Sequence, residues 1–487
     1  MTVPNEITQN NLIAKSKWKT NFFFKGASLL IWFCFFCSAG VLIYQQLQNC
    51  VWVTNLYRIN GFTLLIWTTV TFFSAIILSY SNNYLKGFKY HQRFTLLSLG
   101  FTLIVMIFVM SNHIILFLFS WLLMGILMAR LIGVNTDWNE AKEASKLAQK
   151  YFLSGTALLT IGIFLLSFYS NQFVLSELVL HIDKVPSIAT MIAAFCIIIA
   201  AIIQSAMYPF HRWLLSAMTA PTPASALMHA GFVNGAGILL SILSTVLIAS
   251  NTLTLIFIIG GLTSIIAQFT KLLQVNVKQK LACSTIAQMG FMIMQCGLGF
   301  FNAAVAHLIL HGFYKAYLFL SSGEEISYTA PKKTEKIKIK PLQAFAVLLF
   351  SLVGAVLFSL LTGKTSINNS SVFLTLIVAI TVGQVTYNII KEKSLSSIQK
   401  IVVPIVLFIS GIAMYALIYN GVTILMKDMP LTDVPQPLSV LQIVFGIVFL
   451  LGFFIMKLGL YKKLPWLYVK LLNLSQPNKK TIFTQKN

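Results

Sequence analysis

Charge of one sign is scarce in this sequence: 12 acidic residues stand against 35 lysines and arginines along 487 positions. All of them, Glu6, Asp137, Glu140, Glu143, Glu177, Asp183, Glu324, Glu325, Glu335, Glu392, Asp428 and Asp433, fall outside the long apolar runs. That excludes paired-carboxylate catalysis inside those runs, and it predicts that a charged path through them does without carboxylates of this chain. A Walker sequence, a G-x-G-x-x-G after a strand and a cysteine array are also missing, so nucleotide, flavin and iron–sulfur sites have no visible basis and no cofactor is expected in this chain. The six cysteines are scattered, mostly within apolar segments, where cysteine acts as a small hydrophobe. Cys34 and Cys37 form the one close pair, inside an apolar helix without further ligands, and no metal is expected there. Energy for any transport must then come from an ion gradient or a partner.

What the sequence has in abundance is apolar length. Hydrophobic residues make up 57% of it, charged residues 10%, and the mean hydropathy is +0.82, which would leave a soluble domain of this size with far too much exposed apolar surface. Runs of about 18 residues or more, enough to cross a hydrocarbon core of ~30 Å, lie near 27–44, 60–80, 94–111, 113–133, 150–169, 188–208, 224–248, 252–270, 281–299, 302–322, 341–361, 371–390, 402–425 and 438–456. These predict an all-α membrane protein of about fourteen transmembrane helices. A chain in lipid must satisfy its backbone internally, and the runs are too uniformly apolar for the alternating strands of a barrel.

The net charge of +23 is a topology signal, not a nucleic-acid patch. With the runs drawn as above, 29 of the 35 basic residues fall on one side, against Arg58, Lys184, Lys364 and Lys427 on the other; Arg130 and Lys315 lie within spans. The positive-inside rule then predicts an inner-membrane protein with both termini cytoplasmic, a segment 1–26 before the first helix and a tail 457–487 after the last. The polar stretch of about 20 residues at the start does not read as a cleavable signal peptide. The end of the chain, about 30 residues past the last span, leaves no room for a long lateral helix. Lys332, Lys333, Lys336, Lys338 and Lys340 share one cytoplasmic connection, and in the tail Trp466, Leu467, Val469, Leu471 and Leu472 mix with Lys462, Lys463 and Lys470. Two readings stay open for that tail: an interfacial helix on membrane lipid, or a docking element for a soluble subunit.

Ionisable groups within the apolar runs are few and costly, about 2.5–3.5 kcal/mol each on insertion scales. His307, His311 and Lys315 follow one another at four-residue spacing in HLILHGFYKAYLFL and so share one helical face, as a stepwise proton path requires. The competing reading, snorkelling near the surface, conflicts with the apolar run on both sides. His229 sits in APTPASALMHAGFVNGAG, where small residues permit close helix approach. Alone it would read equally as a satisfied core histidine; the second basic helix favours a relay role. In QSAMYPFHR, Gln204 to Arg212, Pro209 ends a helix already long enough to span, which predicts a broken helix followed by a short half-helix.

Three motifs in order, APTPASALMHA (Ala220–Ala230), VKQKLACSTIAQMG (Val277–Gly290) and HLILHGFYKA (His307–Ala316), give the stretch from about 94 to 325 a resemblance to the proton-pumping subunits shared by respiratory complex I, Mrp-type antiporters and membrane hydrogenases. Within that family, MHAGFVNGAG, PFHRWL and PWLYVKLLN look most like the DabB-type membrane subunits of inorganic-carbon pumps. The resemblance implies two inverted five-helix repeats, here 94–248 and 252–390, between N-terminal helices (27–93) and C-terminal helices (402–456). It also implies relay roles for His229, Lys278, His307, His311 and Lys315. Where antiporter-like relatives carry a buried glutamate and a G-K-S-A lysine, this chain has Leu122 after Trp121 and Gln204, and Lys364 beside Gly363 is a loose stand-in for the lysine of the second broken helix. The implied function is proton or Na⁺ conduction that powers carbon dioxide hydration by a peripheral zinc subunit resembling a carbonic anhydrase, which would itself hold the metal. A redox-driven pump subunit of a quinone oxidoreductase and an Mrp-type Na⁺/H⁺ antiporter subunit are the alternatives.

Overall fold

A computed structural model describes residues 6–322, 341–366, 368–391, 396, 398–458 and 460–482. The lysine cluster from Lys332 to Lys340 lies outside the described residues. The chain is a helical bundle: α1 (Glu6–Gln48), α2 (Gly61–Tyr84), α3 (His91–Met110), α4 (Ile114–Ile132), α5 (Asn139–Ser170), α6 (Leu175–Leu180), α7 (Ser187–Gln204), α8 (Arg212–Ser216), α9 (Thr222–Ala230), α10 (Gly235–Ile242), α11 (Ser244–Ala249), α12 (Leu253–Leu272), α13 (Val277–Gly297), α14 (Phe301–Ser321), α15 (Pro341–Thr362), α16 (Ser371–Lys391), α17 (Gln399–Leu425), α18 (Val440–Leu458) and α19 (Pro465–Leu474). A two-stranded antiparallel hairpin pairs Trp52 with Ile59 and Val53 with Arg58 between α1 and α2.

Eleven helices among the described residues are long and apolar enough to cross a membrane. Four expected boundaries need correction. The first helix, expected at 27–44 after a segment 1–26, runs from Glu6 to Gln48 in α1, because the polar residues that precede the apolar run carry no hydropathy signal yet continue the same helix. The segment expected at 150–169 begins at Asn139 in α5, because its first turns are too polar for a hydropathy signal yet bury Ala141, Ala144 and Ala148. The segment expected at 188–208 stops at Gln204. The single span expected at 224–248 is three short helices, α9 to α11, joined by a 3₁₀ turn at Phe232–Asn234 and a break at Leu243. Glycines at 231 and 235 flank that turn, and hydropathy averaging cannot see such a break.

The interior is built around the helices that carry the motifs. The apolar window of Thr222–Ile242 is 89% buried inside the protein, against 22% for those of α1 and α17, so the broken α9–α10 segment is central and α1 and α17 are peripheral. Helices α12 and α13 approach closely: a Cβ on Gly260 would stand 2.6 Å from the Gly290 carbonyl oxygen.

Each end of the bundle is closed by a connection. Between α17 and α18, Thr432 O accepts from the N–H groups of Phe301 and Asn302 at the start of α14, and Val434 N–H donates to Gly299 O. Gly299 has φ +87° and no room for a side chain, since a Cβ would meet Val434 O at 2.0 Å. This end carries Arg58, whose Nη2 donates to Asp428 O at 2.6 Å, together with Lys427 and Lys364. At the other end the segment after α18 folds back on its own chain. Gln274 Nε2 donates to Ser475 O, and Asn478 N–H and Thr481 Oγ1 meet Ser216 Oγ. Leu471 packs with Phe269 and Tyr461, while Trp466 and Val469 stay exposed. The charge asymmetry makes a direct topology test: reporters fused after residues 340 and 487 are both expected to report cytoplasm. A periplasmic signal at either would overturn the orientation.

Candidate functional site

The apolar face of α14 carries the basic groups inward. Lys315 is fully buried and His311 nearly so. The rings of His307 and His311 stack at 6.2 Å, and Phe291 of α13 packs edge-on to His307 at 5.1 Å. Lys315 Nζ donates to Leu281 O on α13 at 2.9 Å. His229, on α9, is wholly buried with its ring stacked on Phe319 at 4.3 Å, one turn along α14 from Lys315. Among the described residues, both ring nitrogens of His229 and of His311, and Nε2 of His307, have no hydrogen-bond partner. Lys278, at the start of α13, donates to Ala220 O at 2.9 Å, just ahead of α9.

The structure therefore brings all five expected relay residues into one column. His229 lies within Coulombic reach of Lys315 and Lys278, and His311 within reach of Lys315, His307 and His229. Lys271 near the end of α12 and Cys283 also act on Lys315, neighbours that the motif spacing did not reveal. Among the described residues no carboxylate forms an ion pair with Lys315. Buried imidazoles with two open nitrogens can take a proton on one face and release it from the other, which is the chemistry a relay needs.

Gln204 and Pro209 lie where the helix breaks. Gln204 is the last residue of α7 and is buried; its Nε2 donates to Phe232 O at 3.3 Å, and Ser205 Oγ donates to Val233 O at 2.7 Å. These bonds tie the end of α7 to the 3₁₀ turn after His229, where Phe232 O also accepts from the Gly235 N–H. Pro209 sits in the link to α8, the expected half-helix, which Trp213 Nε1 holds to Ile203 O at 2.9 Å.

One expectation needs amendment. Asp433 lies outside every span, as read, yet its carboxylate closes on Lys364 Nζ at 2.7 and 2.8 Å at the far end of α14. Asn302 and Tyr419 also donate to it, each at 3.2 Å. The polar interior thus adjoins a carboxylate of this chain. Lys364 and Asp433 are 69 residues apart, and nothing in local spacing pairs them.

Fold and site define a polytopic helical membrane protein with a buried column of basic groups. Residues 111–390, more than half of the chain, match the profile of the NADH:quinone oxidoreductase/Mrp antiporter transmembrane family, and the chain belongs to that family. It is 37% identical over 295 residues to the probable inorganic carbon transporter subunit DabB2 of Halothiobacillus neapolitanus, covering 59% of this chain and 53% of that one. To the probable DabB subunit of Bacillus subtilis it is 34% identical over 255 residues, with 52% and 50% covered. To NADH-ubiquinone oxidoreductase chain 5 of Podospora anserina it is 30% identical over 326 residues, with 65% and 49% covered. The chain spans about half the length of the curated relatives it matches. Its fold is similar to a chain of the Mrp complex from a Dietzia species, with a TM-score of 0.57 at 18% identity over 94% of this chain and 51% of that one.

Proposed function

We propose that this chain is the ion-conducting subunit of an energy-coupled inorganic-carbon uptake complex, a transporter component and not itself an enzyme. The observation that carries the reading is the buried His307–His311–Lys315 column with His229 stacked beside its inner end. Protons would step between imidazole nitrogens and the Lys315 ammonium, and the flux would drive carbon dioxide hydration by a peripheral carbonic-anhydrase-like subunit on the cytoplasmic face. The zinc would belong to that partner, with no cofactor in this chain. In this reading α13, α16 and α18 complete fourteen crossings of the inner membrane, 94–248 and 252–390 form the inverted repeats, and both termini are cytoplasmic. Leu122 and Gln204 weigh against the redox-driven pump and the antiporter, since the acid and base those machines couple are replaced by an aliphatic side chain and a neutral amide that donates to Phe232 O. The names of the DabB relatives support the carbon reading.

Growth rescue tests it. A host lacking carbonic anhydrase is expected to grow at ambient carbon dioxide when it expresses this chain with a soluble carbonic-anhydrase-like protein from the same genome, and to fail with either alone. Rescue by the soluble protein alone would remove this chain from carbon uptake.

A further inference from the structure

The α14 column has a candidate outer end that the relay motifs do not include. Lys364 is buried, its side chain 8% exposed, while the Asp433 side chain is 31% exposed, so the carboxylate meets solvent and the buried ammonium at once. Lys364 Nζ also lies 4.4 Å from the centroid of the Phe300 ring and 5.6 Å from that of Tyr419. Inward from Asp433, Tyr419 donates to its Oδ2 at 3.2 Å and stacks on Tyr415 at 6.2 Å, one turn away on α17. Tyr415 in turn approaches the Gln295 side chain. Gln295 stands one turn from Phe291 on α13, and Phe291 packs on His307. Among the described residues, Gln295 Oε1 and His307 Nε2 are both buried without a hydrogen-bond partner, one on each side of the Phe291 turn.

A purely structural role for the ion pair is weakly motivated. The loop is already tied down by backbone bonds from Phe301, Asn302 and Val434 and by Ser370 N–H donating to Gln436 O. A partly buried ion pair is a poor source of stability compared with apolar packing of the same volume.

We propose that Asp433 is the outer proton-exchange residue of the α14 column, with Lys364 Nζ paired to its carboxylate at 2.7 and 2.8 Å. The proposal rests on the proton-conducting reading above. In the observed state Tyr419 donates to the carboxylate. When Asp433 takes a proton from outside water, the carboxylic acid donates to the Tyr419 oxygen instead. The Tyr419 hydroxyl hydrogen is then free to turn inward, towards Tyr415 and Gln295. Only O–H and N–H bonds change, and the ion pair with Lys364 relaxes until the proton moves on.

The test uses the full chain with its co-purifying partner in proteoliposomes, reading proton entry with an internal pH dye and Na⁺ entry with ²²Na⁺. Asp433→Asn is expected to cut proton entry by about tenfold or more, whereas Asp433→Glu retains it within about threefold. The double variant Asp433→Asn/Lys364→Met removes the pair without leaving an unpaired charge; it is expected to purify like wild type and to remain slow. Wild-type proton entry in the double variant would overturn the assignment while leaving the conducting reading intact. A wild type that carries ²²Na⁺ and no protons would overturn the assignment, and one that carries neither would overturn the conducting reading with it.

Discussion

Replacing Lys315 with methionine is expected to abolish ion flux, by about a hundredfold or more, while the protein still inserts and purifies as wild type. The side chain keeps nearly its length and loses only its charge and donors. Its hydrogen-bond acceptor among the described residues, Leu281 O, also accepts from Thr285 Oγ1 at 3.1 Å, so the substitution strands no buried carbonyl. Removal of a fully buried ammonium that has no carboxylate partner among the described residues should, if anything, relieve desolvation cost. A purely structural Lys315 would therefore show itself as unchanged flux in a well-folded variant, and that result would end the relay reading. His307→Ala is expected to behave likewise. Among the described residues its Nε2 has no hydrogen-bond partner to lose, and its ring packs on Phe291 and His311. A measured proton flux in proteoliposomes, normalised to protein recovered after size exclusion, separates lost conduction from lost protein.

The column was legible in the sequence for a physical reason. Three ionisable groups at four-residue spacing in an apolar run have one common face, and their insertion cost makes chance placement rare. The same logic reached His229 only with help from its neighbours, and the structure places it beside Phe319 and Lys315, as a contact between α9 and α14. Hydropathy located apolar helices but not their interruptions: the turn after Gly231 is invisible to an average over a window, and Gln204 looked like a vacancy left by a missing lysine when its amide donates to Phe232 O across that turn. The polar start of α5 was lost for the converse reason, since helical turns that bury three alanines carry no apolar signal. Lys364 and Asp433 belong to a class no single-sequence pattern finds, a tertiary pair between a helix end and a loop. The tail was read as either a lipid-facing helix or a docking element; the structure shows residues beyond α19 bound to Ser216 and Gln274 of the same chain, which neither reading anticipated.

That intramolecular contact carries a pH dependence. His211 is buried beside the broken-helix link, and its Nε2 donates to Leu474 O at 2.8 Å, at the C-terminal end of α19. Burial lowers its pKa to about 4; the Leu474 carbonyl opposes this, and the Arg212 guanidinium adds to it. A histidine whose pKa falls on docking disfavours the docked state once the undocked ring can take a proton. The contribution is complete above the ordinary value of 6.5 and is lost as pH falls from there towards about 4. Between about pH 7.5 and about pH 5 the docking equilibrium should weaken by about 2 kcal/mol, roughly 30-fold, if the released ring is fully solvated. Hydrogen exchange at the Asn478 amide, which donates to Ser216 Oγ at 3.1 Å, reports the opening directly once the intrinsic pH dependence of exchange is removed. His211→Gln keeps a donor for Leu474 O and cannot titrate, so its protection is expected to stay level over the same range. If wild type and His211→Gln lose protection in parallel, the acid sensitivity belongs to another group and His211 does not control the tail. If wild type alone loses it, the segment after α19 is a contact that opens in acid beside the link between α7 and α8.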